Sequence, residues 1–492
     1  LRPGRRHPVA ALLVIAALGS VIATPTRADD DDLFGGFEDD FDISDLEPLD
    51  RSMPAWLAAL PFGELIHERV DLGGSIAVGA SYSYLNTVVP HGDEPGRSSS
   101  FGNLTRLDVD LRLRLDIALP GDWRIRAEGQ GWYDFVYRIK GRGNFGGEVI
   151  DVYEWQVDTG EIYLAGPLHP RVDLTVGRKI VNWGRSDTFR VVDVVNPLDN
   201  KEPGLVDIED LRRPRTMVKL DAQAGPWSAT LLVIPENRFD RQPPPGSDFF
   251  PDLSILPQAF QPFFREAPIN QGNGFDRIPG LAAKFDGRFS GWDFSLYGAW
   301  VDETDRVLEV GPNGLTREAN RFGMAGFAGN FTRGPWLFKA EGAWKTGIRV
   351  LRARVDPPFL FSDDKDRIDT MIGVEYFGSD NLAIALEVVN RHLLDFGRGV
   401  GNPEQLTEQS VFETNLRITR TFFRERMEVT ALGVAFGERF QDGGLARLSA
   451  DWELTDAWKI EGGILIFIGG PDKGLGAFDS NDRLYAELKY SF

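Results

Sequence analysis

Between residues 104 and 119 the chain reads LTRLDVDLRLRLDIAL, and apolar and polar positions alternate without a break. Leu107, Val109, Leu111, Leu113, Leu115, Ile117 and Leu119 share one face of an extended chain; Arg106, Asp108, Asp110, Arg112, Arg114 and Asp116 share the other. A helix would mix the two sets. A strand separates them, because successive side chains point to opposite faces. After Pro120-Gly121-Asp122 the pattern restarts, with Trp123, Ile125, Ala127, Gly129, Tyr133 and Phe135 set against Arg124, Arg126, Glu128, Gln130 and Asp134.

The same period predicts eighteen strands, from 75–84 to 482–492, with 335–349 and 366–378 among them; sixteen is the alternative count. Eight connections are tight, among them Pro120-Gly121, Gly225-Pro226, Ser290-Gly291 and Thr455-Asp456. They alternate with mostly longer ones, the longest at 181–214 and 235–277. An even strand number with this asymmetry predicts an all-β fold: a transmembrane antiparallel β-barrel with short periplasmic turns and long extracellular loops. A closed sheet satisfies its own backbone, which lipid demands. About 18 strands leave room for an aqueous lumen, whereas about 8 are filled by side chains.

Tryptophan placement separates this fold from a water-soluble sandwich. Trp123, Trp227, Trp292, Trp336 and Trp458 each follow a tight turn by a residue or two on the apolar face. Trp300 and Trp344 lie eight residues beyond Trp292 and Trp336 on the same face. At about 3.3 Å per residue and about 40° tilt, eight residues climb about 20 Å, close to the height of an apolar membrane band. These seven rings are candidates for the aromatic girdles at the two interfaces. The chain ends RLYAELKYSF, and the alternation closing on Tyr490 and Phe492 resembles the terminal-strand signal read by the barrel-assembly machinery of Gram-negative outer membranes.

The polar face then lines the lumen. Arg106, Asp108, Asp110, Arg112, Arg114, Arg124, Arg126 and Glu128 are its clearest candidates, forming either a mutually paired wall or a bipolar one that orients a charged solute. Charges elsewhere, Lys284, Arg321, Lys339 and Glu387 among them, are assigned the same inward phase. Residues 178–215 are too rich in Asn, Pro, Gly and charge for a strand. Folded into the bore, they would offer Asp187, Arg190, Asp193, Asp199, Lys201, Glu202, Asp207, Glu209, Asp210, Arg212 and Arg213 as a constriction, since pore selectivity depends on such side chains. A surface loop pinned by local ion pairs is the alternative. The loop 235–277 contains Pro243-Pro244-Pro245 and a phenylalanine-rich run from Phe249 to Phe264. It reads as a cap packed in the lumen, a contact for hydrophobic solutes, or a lipid- or partner-facing patch.

The amino end adds compartment. Residues 1–28 join a charged start, an apolar run at 8–23 and small residues to Ala28, the layout of a cleaved signal peptide. The formal charge of the 492-residue chain is −20, and removing four Arg with this segment leaves −24. Residues 29–74 form an acidic periplasmic segment, with a short amphipathic helix expected over 53–69 and the barrel occupying 75–492. Residues 29–69 are a candidate docking segment for a periplasmic partner. So acidic a chain argues against nucleic acid as a partner. With no Cys and five His, it offers no thiolate chemistry and no usual metal motif. No cofactor or catalytic set is expected, and outer-membrane lipid and lipopolysaccharide are the expected surroundings.

The run Gly177-Arg178, Asn182-Trp183-Gly184, Ser186-Asp187, Val195-Asn196-Pro197-Leu198-Asp199 and Arg212-Arg213-Pro214 resembles the proteobacterial outer-membrane barrels of domain-of-unknown-function family 1302. That resemblance implies a porin-like barrel, and association with RND-type exporters moving apolar or amphipathic compounds. The reading is therefore an outer-membrane channel or transport component in a Gram-negative cell. The alternatives are a non-conducting structural or adhesive barrel and, more remotely, a barrel hydrolase.

Overall fold

The computed structural model describes residues 69–492 except 92–96, 206–210, 251–272, 306, 312–313, 355–358, 380, 397–407 and 471–477. The signal peptide, the acidic segment to residue 68, Asp207, Glu209, Asp210 and the run 251–264 of the phenylalanine-rich loop lie outside the described residues.

Eighteen strands form one closed antiparallel sheet. They are β1 (Val70–Ser83), β2 (Asn103–Leu119), β3 (Trp123–Asp134), β4 (Trp155–His169), β5 (Val172–Lys179) and β6 (Arg215–Ala224). Next come β7 (Trp227–Ile234), β8 (Gly280–Phe289), β9 (Trp292–Asp302), β10 (Arg321–Arg333), β11 (Trp336–Arg354) and β12 (Phe359–Ser379). The last are β13 (Leu382–Leu393), β14 (Ser410–Phe422), β15 (Met427–Phe436), β16 (Gly444–Glu453), β17 (Trp458–Ile468) and β18 (Arg483–Ser491). Each pairs with the next, and β1 closes the ring against β18 in a register that sets Val78 beside Leu488.

Turn chemistry explains why tryptophans share one offset. Gly225-Pro226 and Gly334-Pro335 are two-residue links, with φ of 62° and 59° at the glycines. A positive φ followed by the fixed φ of proline is the sequence of a type II′ turn, which matches the twist of paired strands. The next residue, Trp227 or Trp336, then opens the new strand, and Trp123, Trp292 and Trp458 open theirs likewise. Above these turns the outer face is apolar: Leu111, Leu113, Leu231, Leu296, Phe327, Phe338, Trp344, Ile372, Leu386 and Leu488 are all exposed. Each such side chain left in water forgoes about 1.5–3 kcal/mol, so a belt of this extent calls for hydrocarbon around it.

Strand limits differ from the sequence reading in two places. β1 starts at Val70 rather than 75, because Val70-Asp71-Leu72 pairs with Ile117-Asp116-Leu115 although Gly73-Gly74 interrupts the alternation. β11 and β12 run to Arg354 and from Phe359, so a charged hairpin stands beyond the ring. One inward assignment is overturned. Arg321 lies in the outward phase of β10 at the rim, its guanidinium 4.4 Å from the Trp300 ring centre and 2.9 Å from Asp302. The long side also carries elements that alternation does not reveal: α1 (Val136–Ile139) and α2 (Gly147–Tyr153) between β3 and β4, and small hairpins at 88–100 and 307–318. Phe101, Val136, Tyr137, Phe145, Val149 and Ile150 give this side its own small core.

Candidate functional site

The segment from β5 to β6, residues 180–214, enters the ring and crosses it. Its near end meets the opposite wall, where Arg185 and Ser186 amides donate to Glu341 of β11 and the Ser186 hydroxyl donates to Glu387 of β13 at 2.7 Å. Lys339 of β11 reaches Asp187 at 3.1 Å, Asn415 of β14 donates to Thr188 at 2.6 Å, and Arg391 donates to the Arg190 carbonyl at 2.9 Å. Its far end returns to the other side, with Glu202 3.5 Å from Arg106 of β2 and the Lys201 carbonyl accepting from Tyr153 at 2.8 Å.

Burial of apolar surface holds the crossing in place. Val181, Trp183, Val191, Val192, Val194 and Val195 pack with inward residues of β6 to β13, including Met217, Leu232, Tyr297, Phe322, Met371 and Val389. The interior of that half is therefore filled by the chain itself. Trp183 lies with its ring centre 5.2 Å from that of Tyr297, the planes tilted by 51°, and a Cβ at Gly184 (φ 100°) would lie 3.0 Å from the Glu341 carboxylate. Asn196, fully buried, fastens the base: its Oδ1 accepts from the Val181 amide at 2.8 Å, and its Nδ2 donates to the Arg213 carbonyl at 2.9 Å and the Lys179 carbonyl at 3.3 Å. The residues that carry the family resemblance thus build the crossing.

The residues expected at the constriction divide into groups. Arg190 and Arg212 both grip Asp193, at 3.2 and 3.0 Å, and these three buried or half-buried groups staple the segment to itself. Asp187 joins Glu375 and Glu387, with carboxylate oxygens within 4.8 Å of one another, and Lys339 bonds to Asp187 and Glu375 as their cation. Asp199, Lys201, Glu202 and Arg213 do come together, beside residues that the sequence reading did not single out. Arg241 lies 2.6 Å from Asp158 of β4 and 3.1 Å from Asp199; Arg238 lies 3.3 Å from Asp158; Lys201 sits 4.4 Å from the ring centre of Trp132 on β3. Arg238 and Arg241 come from the second long loop, whose start runs beside the first: the Arg241 amide donates to the Leu198 carbonyl at 2.9 Å. No local pattern marks them, since their role rests on this parallel contact.

Burial shapes the charge of these loops. It pushes the Asp240 carboxyl, which accepts from the Leu198 amide at 2.7 Å, up to about 6. It lowers the Lys201 ammonium, and it lowers the Arg213 guanidinium further with Arg241 and Arg238 alongside. At the rim beyond β9, burial likewise raises Glu303 to about 7.

Along the wall, neighbouring inward positions of one strand carry opposite charges. Arg106 lies 2.6 Å from Asp108, Arg112 3.2 Å from Asp110 and Arg114 3.2 Å from Asp116, which also takes Arg126 at 2.8 Å. Glu128 accepts from the Glu161 amide at 3.2 Å, and Arg124 also has a bonding partner. Of the phenylalanine-rich loop, Phe249 is described; it is buried against Phe467 and Phe478, with the Arg483 guanidinium 4.3 Å from its ring centre. Trp227, Trp292, Trp300, Trp336, Trp344 and Trp458 stand exposed on the outer face, and Trp123 is half-buried there. Tyr490 and Phe492 are exposed at the closing seam, where Phe492 and Gly74 exchange two backbone hydrogen bonds of 2.9 Å.

A family model described as "Protein of unknown function (DUF1302)" matches residues 90–492. No curated protein matches the chain. Among solved structures, OccAB1 of Acinetobacter baumannii is 10% identical with a TM-score of 0.48, covering 86% of this chain and 96% of its own. The outer membrane protein opdK from Pseudomonas aeruginosa is 9% identical with a TM-score of 0.45, covering 86% and 99%. The outer membrane channel DcaP of Acinetobacter baumannii is 12% identical with a TM-score of 0.41, covering 86% and 97%. The barrel rests on this chain's own strand pairing.

Proposed function

Since this chain belongs to the DUF1302 family, whose description names no activity, we propose from its own geometry that it is a channel for small solutes in the outer membrane of a Gram-negative bacterium. The observation that carries this reading is the ring of eighteen strands, apolar outside and charged within, crossed by residues 180–214. A closed barrel of this size encloses more volume than its side chains fill. A crossing segment reduces that volume to a passage whose walls choose what goes through.

The supported cargo is polar. The apolar half of the interior is occupied by Val191, Val192, Val194 and Val195, whereas Asp110, Arg112, Arg114, Asp116 and Arg126 of the wall keep contact with solvent. This favours hydrophilic solutes over the apolar or amphipathic compounds, and the RND-linked export, that the family resemblance implied. A hydrolase draws little support from the two described histidine–serine pairs. Ser99, 3.0 Å from His91, is fully buried, and Ser410, 2.6 Å from His392, lies on the outward face; a nucleophile needs access and an oriented base.

Planar-bilayer recording tests the proposal. The refolded protein should show discrete conductance steps, and deletion of residues 185–199 should enlarge them several-fold. Silence from both proteins, each folded in detergent, would reject the channel and favour a structural barrel.

A further inference from the structure

Where the two infolded loops run side by side, hydrogen-bond donors outnumber acceptors. Among the described residues, Lys201, Arg213, Arg238 and Arg241 are gathered about Asp158 and Asp199, while Glu202 and Glu236, paired with Arg106 and Arg178, add their fields at Lys201 and Arg238. Arg213 is 7% exposed; its terminal nitrogen donates to the Phe239 carbonyl at 2.7 Å, but its Nε has no partner. The Gln156 amide oxygen of β4 accepts from Arg241 at 2.9 Å. Among the described residues of this cluster, Asp199 Oδ1 is a buried acceptor without a partner. Buried cations are ordinarily paired, and a guanidinium presents a planar fork that fits carboxylate or phosphate oxygens.

We propose that Lys201, Arg213, Arg238 and Arg241 form a binding site for a small oxyanion, a carboxylate or phosphate, inside the barrel. The site rests on the channel reading for its biological access, while its occupancy can be measured without conductance. Solvent reaches it, since the side chains of Asp158, Arg241 and Asp199 are 15%, 17% and 24% exposed. Asp158 and Asp199 hold the cations in place and keep the site's affinity moderate, as passage requires: binding must be favourable enough to enter and weak enough to leave. Glu202 borders the site, acting on Lys201 while it pairs with Arg106 at 3.5 Å.

Titration calorimetry on the full folded protein in detergent, at constant ionic strength, tests the site with succinate and with inorganic phosphate against sodium chloride. Saturable uptake of either oxyanion but not of chloride is expected, and the stronger of the two identifies the class. Arg213→Gln and Arg241→Gln should each weaken it about tenfold or more, in proportion to a lost charge-assisted hydrogen bond. Arg241→Lys, which keeps the charge but not the fork, should weaken it less. Asp158→Asn should tighten it, and Arg171→Gln, at the turn before β5, should leave it unchanged. Absence of saturation, or equal affinity in wild type, Arg241→Gln and Asp158→Asn, overturns the site. Saturable binding in a protein that never conducts rejects the channel alone, and conductance without saturation rejects the site alone.

Discussion

Asn196 shows how much one side chain can hold. It serves three backbone groups from two separate stretches, at residues 179, 181 and 213, with no contact with solvent. Alanine there would strand the buried Val181 amide and Arg213 carbonyl and the half-buried Lys179 carbonyl, and each unmet buried group costs about 1–3 kcal/mol unless water replaces the lost partner. Asn196→Ala should therefore lower the urea midpoint of the detergent-solubilised barrel and speed amide exchange within 181–199. Unchanged exchange there would remove Asn196 from the fastening. Asp240 makes a second case, with a pH signature. Its carboxyl titrates near about 6 in the fold against an ordinary value of 3.8, so ionisation favours the unfastened loop. That penalty is absent below about pH 4, grows between the two values and is complete above about pH 6. Exchange of the Leu198 amide, corrected for its intrinsic rate, should slow as pH falls from 7 to 5, and Asp240→Asn should flatten the profile. A flat profile in the wild type would contradict this account.

Strands separate into those that close the ring and those that overshoot it. The ladder of β11 with β10 stops at Thr346, and that of β12 with β13 starts at Arg367. From Ile348 to Lys365 the two strands bond only to each other in the sheet, beyond a register shift after Lys345. Ring stability comes from strands paired on both sides, because each backbone group removed from water then has a partner. Replacing residues 351–362 with a two-residue Asn-Gly turn should leave the melting temperature and conductance of the barrel unchanged. A large drop in either would mean that the overshoot braces the ring. Alternation located both strands, yet their ends were illegible: 349–366 is charged on both faces once the chain leaves the apolar belt. The short helices α1 and α2 escaped for a related reason, since a segment of four or seven residues is too brief to display a helical period.

At the scale of the whole molecule, the crossing segment occupies part of the ring's interior, and its course follows from contacts 150 to 230 residues distant in sequence. Ser186 meets Glu387 and Thr188 meets Asn415 only because the ring brings opposite walls within reach. Composition marked 178–215 as ordered and charged, but could not divide its charges between packing and passage. Arg212 and Arg213 are adjacent and alike in sequence. One is spent on Asp193 within the segment, while the other donates to the Phe239 carbonyl of the second loop at 2.7 Å. The amino-acid order alone determined the eighteen strands, their inward and outward faces and the tryptophans at the turns, because a strand's alternation and a tight turn's φ preferences are local properties of the chain. Tertiary structure decided which charges of the crossing segment meet the opposite walls and the second loop, because those pairs depend on distance across the bore.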